Sequence, residues 1–329
     1  MINLVQIGIG PLGQKMVAYA QQRSALNIVA AVDTNPDIVG KDLGEFCGLE
    51  RLGVTIKSSV AQALAGVHAD VAVVTTVSSL ATFADQVTEI AAAGLHSVST
   101  CEELSYPWDI APDIAARIDQ TCSEQKVACV GTGVNPGYLM DFLPTVLSGL
   151  CQQVDSIEVT RVQDASVRRI PFQQKIGAAL TVEAFKAKEK QGTLRHVGLP
   201  ESLDFIANRL GWQLDKKTES LEPVIADTDI TTGYQPITAG MARGVHQVGR
   251  GFVNGKEVIT LSFKAAVGEP VSYDEVNIQG DPPIHSRIEG GVNGDIATCA
   301  ITLNTVRSLL QAQPGLRTMA EIPPVAFLV

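Results

Sequence analysis

The feature that most constrains this chain is Gly8-Ile-Gly10-Pro11-Leu12-Gly13, a G-x-G-x-x-G. It directly follows the apolar run Leu4-Val-Gln-Ile-Gly8 and leads into a helical pattern from Leu12 to Gln22. A second apolar run, Ile28-Val-Ala-Ala-Val-Asp33, then ends in an acid 20 residues after Gly13. Strand, glycine turn, helix, strand and terminal acid in that order specify a βαβ unit that holds a dinucleotide. Gly8 permits the tight turn, Gly10 lets the backbone approach a pyrophosphate, and Gly13 lets helix and strand pack closely. Pro11 and Leu12 open the helix, whose first amides and positive dipole end suit the phosphates. Asp33 is placed to accept hydrogen bonds from the adenosine ribose hydroxyls. Its charge repels a 2′-phosphate, so NAD is the expected cofactor, while Thr34 and Asn35 leave NADP open.

The alternation continues. Asp70-Val-Ala-Val-Val-Thr75 reads as a strand, and Ser79 as the cap of a helix with Phe83, Val87, Ile90 and Ala91 on one face. His96 to Ser99 is a strand, Pro112 opens a helix with Ile114, Ile118 and Cys122 on one side, and Val127 to Val130 is a strand. With 29 glycines and only 5% aromatic residues, the composition suits a parallel sheet covered by helices. The expected fold class is α/β: a Rossmann-type doubly wound parallel sheet over residues 1–135, followed by a second α+β domain over 136–294. The second domain is read from a change of pattern near Asp155, where Ile157, Val159 and Arg161 alternate with polar neighbours. Phe252 to Val258 forms a hairpin around Asn254-Gly255. Val258 to Phe263 and Val276 to Gln279 are further strands, interrupted by helices from Thr181 and from about Glu201 to Leu210, so the sheet is mixed or antiparallel. A last helix from Asp295, with Ile296, Cys299, Ala300, Leu303, Val306 and Leu310 on one stripe, makes residues 295–329 a candidate to pack back on the first domain.

Several function classes drop out. The net charge of −10, with no Lys/Arg stripe, opposes nucleic-acid and anionic-membrane binding. No segment approaches the ~20 apolar residues of a membrane span, and the first residues read as a strand with no secretory leader. The six cysteines (47, 101, 122, 129, 151, 299) form no C-x-x-C, and the five histidines are scattered. The expectation is reduced thiols in a cytoplasmic protein with no metal site.

Catalytic candidates cluster at the carboxyl ends of the predicted parallel strands, where such sheets bind ligands. Thr75 and Thr76 are candidate contacts to the ribose or nicotinamide side. Glu102 and Glu103 follow the strand ending at Ser99; one carboxylate beside a nicotinamide could shuttle protons, and the bland alternative is a helix-start acid favoured by the dipole. Cys101 has no His or Lys neighbour and reads as a buried small residue. Gly131-Thr-Gly133-Val-Asn135-Pro-Gly137 allows close backbone approach to a ligand, with Asn135 offering donor and acceptor. Arg161 and Gln163 share a strand face with Ile157 and Val159; the arginine there needs an anion, either a substrate carboxylate or an internal acid. The Gly290 to Asp295 loop is a candidate pocket wall.

Four stretches carry a family resemblance: Ser99-Thr-Cys-Glu-Glu-Leu-Ser-Tyr-Pro107, Gly131 to Gly137, Arg161 with Asp164-Ala-Ser166, and Gly294-Asp-Ile-Ala-Thr298. Residues 1–135 resemble the N-terminal domain of the dihydrodipicolinate reductase superfamily. The chain as a whole resembles the 2,4-diaminopentanoate dehydrogenases and their relatives, the native amine dehydrogenases. That resemblance implies an NAD(P)-dependent enzyme that interconverts an amine with a carbonyl compound and ammonia. A glutamate beside the nicotinamide then acts as acid/base, at Glu102 or Glu103, with Glu102 favoured. Independently of the resemblance, Arg161, Gln163 and Gly137 are the candidate substrate contacts, and the exposed face of a mixed sheet suggests a homodimer by analogy. The lysine-pathway reductases carry a paired-histidine segment and a Lys before a Ser-Gly-Thr loop. The comparable stretch here, Asp164 to Thr181, has Arg168-Arg169 and Lys175-Ile-Gly177 but no histidine, which argues against that reductase. A carbonyl or imine reductase without ammonia chemistry and a non-catalytic dinucleotide-binding protein are the alternatives.

Overall fold

The computed structural model describes residues 1–168, 170–194 and 196–329; Arg169 lies outside the described residues. The chain runs β1 (Ile2–Ile7), α1 (Pro11–Ala20), β2 (Leu26–Val32), α2 (Leu43–Phe46), β3 (Ile56–Lys57), α3 (Val60–Ala63), β4 (Val71–Val74), α4 (Leu80–Ala92) and β5 (His96–Ser99). A single 3-10 turn follows at Glu102–Leu104, then α5 (Pro112–Glu124), β6 (Ala128–Gly131), α6 (Phe142–Ser148), β7 (Gln153–Asp164), α7 (Ile170–Lys175), α8 (Val182–Lys190) and α9 (Leu199–Leu210). It closes with β8 (Lys216–Ile225), β9 (Ala242–Val253), β10 (Lys256–Ala266), β11 (Tyr273–Asp281), β12 (Ile284–Glu289), α10 (Gly294–Leu309) and β13 (Gly315–Arg317). Contacts divide these elements into two compact units, Met1–Tyr138 with Asn293–Val329, and Leu139–Val292.

The first unit is built on a seven-stranded sheet in the order β13-β6-β5-β4-β1-β2-β3, with every pairing parallel. A parallel sheet is covered on both faces, which is why Val71–Val74 carries four consecutive buried residues. β1 pairs with both β2 and β4, so the strand order reverses there and a crevice opens at its carboxyl end. On α4, Leu80, Phe83, Ala84, Val87, Ile90 and Ala91 are buried at helical spacing. The terminal helix α10 packs on α1 and reaches β4, β5 and β6. It buries Cys299, Leu303 and Val306, but Ile296, expected on the same stripe, is exposed.

The second unit carries a six-stranded mixed sheet, β12-β11-β7-β10-β9-β8. β7 runs parallel to β10 and antiparallel to β11. Asn254 and Gly255 adopt φ of 51° and 75°, and this left-handed pair turns β9 into β10 as the sequence demands. Thr181 caps α8 through the Ala184 amide, and Gly211 ends α9 in the left-handed conformation. β8 is an edge strand with an exposed, charged outer row, a pattern that discourages further strand pairing.

Candidate functional site

The glycine turn is dictated by sterics. Gly8 has φ +85°, and a Cβ there would lie 2.8 Å from Thr76 Cγ2. A Cβ on Gly13 would run into the Gly8 carbonyl oxygen, whereas one on Gly10 would meet nothing within 4 Å. Open space over Gly10 faces the N-terminus of α1, which begins with Pro11 and Leu12 and has no side-chain cap. The first amides of the helix therefore have no side-chain cap, an arrangement that suits an anion. Thr75 Oγ1 donates to Gly8 O at 2.8 Å and accepts from buried Gln6 Nε2 at 2.9 Å, and the same Nε2 reaches Gly8 O at 2.9 Å. Thr75 therefore braces the loop. Asp33 Oδ2 accepts the Ile9 amide at 2.7 Å and Oδ1 the Asn35 amide at 2.9 Å, which fixes the carboxylate beside the glycine turn.

These residues border a cleft of about 390 Å³. Gly8, Gly10, Asp33, Thr34, Thr75 and Thr76 line it, as do Ser58, Ser59, Gln86 and Glu89, which sequence reasoning did not single out. The serines follow β3, a two-residue strand too short to leave a periodic signal. Glu89 accepts the Val60 amide at 3.1 Å, and Thr76 donates to Gln86 at 2.6 Å. A rigid glycine-rich turn, an uncapped helix end and a fixed acid at the tip of the second strand fit a dinucleotide. Gly13→Ala is expected to cost about 1–3 kcal/mol of stability and to abolish dinucleotide binding by titration calorimetry; unaltered affinity would contradict the role given to this turn.

The adjacent glutamates separate. Glu103 Oε2 accepts the Leu80 amide at 2.8 Å, so it caps α4, the bland role for an acid at a helix start. Glu102 is half-buried on the turn that leaves the carboxyl end of β5. Gly131 presses on that turn, since a Cβ there would lie 2.7 Å from the Leu104 carbonyl carbon. Cys101 is buried and donates to Ser78 O at 3.2 Å. Burial first, and then the Glu102 carboxylate, push its thiol up to about 12, so it is no nucleophile. On the loop after β6, Gly137 has φ +112°, and a Cβ would lie 2.5 Å from Gly133 N. Asn135 is 8% exposed.

Arg161 and Gln163 lie in the second unit. Arg161 is 2% exposed, and its Nη1 donates to Asp274, the residue directly across on β11. Arg161 Nη2 and Gln163 Nε2 both donate to Val292 O at 2.8 Å, and the Val292 amide donates to Asp274 Oδ2 at 2.7 Å. Burial lowers the Arg161 pKa from its ordinary value and Asp274 works against that shift. Of the two anions considered for Arg161, the structure supplies the internal one.

Among the described residues no cluster of His, Cys, Asp and Glu could hold a metal, and no helix is long and apolar enough to cross a membrane. Residues 138–329 match the model of the 2,4-diaminopentanoate dehydrogenase C-terminal domain, more than half of the chain. The chain belongs to the 2,4-diaminopentanoate dehydrogenase family. Residues 2–100 of this family member match the dihydrodipicolinate reductase N-terminus. It is 30% identical to a 2,4-diaminopentanoate dehydrogenase of Acetoanaerobium sticklandii, over 98% of this chain and 93% of that protein. It is 25% identical to an amine dehydrogenase of Streptomyces virginiae, over 98% and 96%. The fold is that of an amine dehydrogenase from Mycobacterium smegmatis, with a TM-score of 0.86 at 22% identity, covering 99% of this chain and 97% of that one. As a member of the diaminopentanoate dehydrogenase family the chain is an oxidoreductase acting on amines, with a nicotinamide dinucleotide as its redox cofactor.

Proposed function

We propose that this enzyme interconverts a primary amine with a ketone or aldehyde plus ammonia, and that Glu102 gives and takes the proton. The observation that carries the reading is the division of labour in the glutamate pair. Glu103 accepts the Leu80 amide and serves the start of α4, whereas Glu102 sits half-buried on the turn that leaves the carboxyl end of β5, the edge at which open parallel sheets bind ligands. When bound, the nicotinamide supplies two-electron exchange with the carbon that bears nitrogen. The Gly8–Gly13 turn and the start of α1 hold the pyrophosphate, and Asp33 with Thr34 takes the adenosine ribose. Thr76 lies along the same cleft, and Thr75 keeps the turn rigid. In the deaminating direction Glu102 removes a proton from the water that attacks the carbon–nitrogen double bond, then returns it to the departing ammonia. In the aminating direction it assists the addition of ammonia and the loss of water. Its negative charge also favours the cationic iminium over the neutral carbonyl. Gly137 leaves room for backbone close to the substrate.

Arg161 has its charge matched by Asp274, which favours a substrate without a carboxylate. The enzyme works in the cytoplasm, where its six cysteines, none of them in a disulfide, stay reduced, and as a homodimer. The test is incubation with NAD⁺ and a panel of primary amines with and without a carboxylate. Dinucleotide reduction should match ammonia release one for one, with uncharged amines ahead of amino acids; reduction without ammonia would contradict the reading. Asp33→Ser should move the NADH to NADPH ratio of kcat/KM toward NADPH by about tenfold, since one unit of repulsion toward a 2′-phosphate is removed. An unchanged ratio would mean that Asp33 does not face the ribose.

A further inference from the structure

Two buried polar side-chain atoms on the loop after β6 have no hydrogen-bond partner among the described residues: Thr132 Oγ1 and Asn135 Nδ2. Thr132 is 3% exposed and Asn135 8%. Buried hydroxyls and amides are nearly always hydrogen-bonded, and an unsatisfied pair on one loop calls for an explanation. The loop around them is pinned. Thr132 N donates to Ser99 O at 2.9 Å, at the end of β5. Val134 N donates to Thr298 Oγ1 at 3.2 Å, on α10. Gly131 is pressed on the Glu102–Leu104 turn, and Gly137 folds against Gly133 and Thr132. The backbone is thus committed to its neighbours, while these two side chains keep polar atoms for something else.

Their place in the sheet says what that is. The glycine turn sits at the end of β1, and β4, β5 and β6 follow in order away from it. At ~4.8 Å per strand the end of β6 lies roughly 14 Å from the end of β1, on the side opposite Asp33 and β2. A dinucleotide with its pyrophosphate on the turn and its adenosine toward Asp33 extends its nicotinamide half along this row. The nicotinamide ring carries a primary carboxamide, which needs one donor for its oxygen and one acceptor for its nitrogen. Asn135 Nδ2 is a donor only, and the Thr132 hydroxyl accepts.

Resting on the dinucleotide reading above, we infer that Asn135 and Thr132 grip the cofactor's carboxamide, Asn135 donating to its oxygen and Thr132 accepting from its nitrogen. Both are positioning residues. They set which face of the ring meets the substrate and hold the ring beside the turn that carries Glu102.

The experiment is titration calorimetry with three ligands: NAD⁺, its acetylpyridine analogue and ADP-ribose. The analogue keeps the carbonyl and replaces the amide nitrogen with a methyl group. The wild-type chain should bind NAD⁺ about tenfold more tightly than the analogue. Thr132→Val should weaken NAD⁺ by about the same factor and leave the analogue and ADP-ribose unchanged, so that the preference disappears. Asn135→Ala should weaken NAD⁺ and the analogue alike and spare ADP-ribose. Thr132→Ser retains the hydroxyl and should restore the preference if Thr132→Val folds poorly. A preference for NAD⁺ that survives in a folded Thr132→Val would overturn the inference, as would an effect confined to the KM of the amine. Failure of the wild-type chain to bind ADP-ribose would instead overturn the dinucleotide reading itself.

Discussion

Glu102→Gln is expected to lower turnover in both directions by roughly 10²–10⁴-fold, the usual contribution of a positioned acid/base, with dinucleotide affinity unchanged. The amide keeps the size and polarity of the carboxyl group but cannot exchange a proton. The Glu102 backbone is held by the Ser105 hydroxyl, which donates to its carbonyl at 2.9 Å, and by Gly131 packing on the turn, so the turn itself should survive. Glu103→Gln is the control. It keeps an oxygen for the Leu80 amide but loses the charge at the start of α4, at a cost of about 1 kcal/mol, and most of the activity should remain. Stopped-flow single turnovers with a saturating amine separate binding from chemistry. The reverse outcome, an inactive Glu103→Gln beside an active Glu102→Gln, would contradict the assignment.

Asp274→Ala is expected to cost about 3–5 kcal/mol, the usual penalty for stranding one member of a buried ion pair. Arg161 is 2% exposed and Asp274 6%, so water cannot take the place of the lost carboxylate. The change also frees the Val292 amide, which Asp274 Oδ2 accepts at 2.7 Å. Thermal unfolding should shift down by about 10 °C or more. Replacing both partners, Arg161→Met with Asp274→Leu, should recover much of the loss, because no charge is then left buried. A wild-type melting temperature for Asp274→Ala would show that Arg161 is matched by some other anion, and a substrate carboxylate would return as its partner.

Local rules made much of this molecule readable. The glycine turn, the acid ending the second strand, the apolar run at Val71–Val74 and the Asn254-Gly255 hairpin each follow from residues close in sequence. The parts that were not legible depend on distant partners. Arg161 announces a need for an anion, but only the register between β7 and β11 brings up Asp274, 113 residues away. Glu102 and Glu103 look alike on paper; the Leu80 amide, 23 residues earlier, tells them apart. β13 is a three-residue strand that exists because β6 has a free edge to pair with. β8 is too polar to announce itself, and it forms because β9 offers its edge. Thr132 is unremarkable in sequence beside Asn135, a threonine in a glycine-rich loop, and only its burial without a partner among the described residues sets it apart.

The central claim is that this dehydrogenase makes and breaks a carbon–nitrogen bond around its redox step. It is tested most directly by following NADH consumption with ketones and aldehydes as ammonium is varied. No consumption is expected without ammonium, saturable consumption is expected with it, and the product should be a primary amine. Equal consumption in the absence of ammonium, with an alcohol as product, would contradict it.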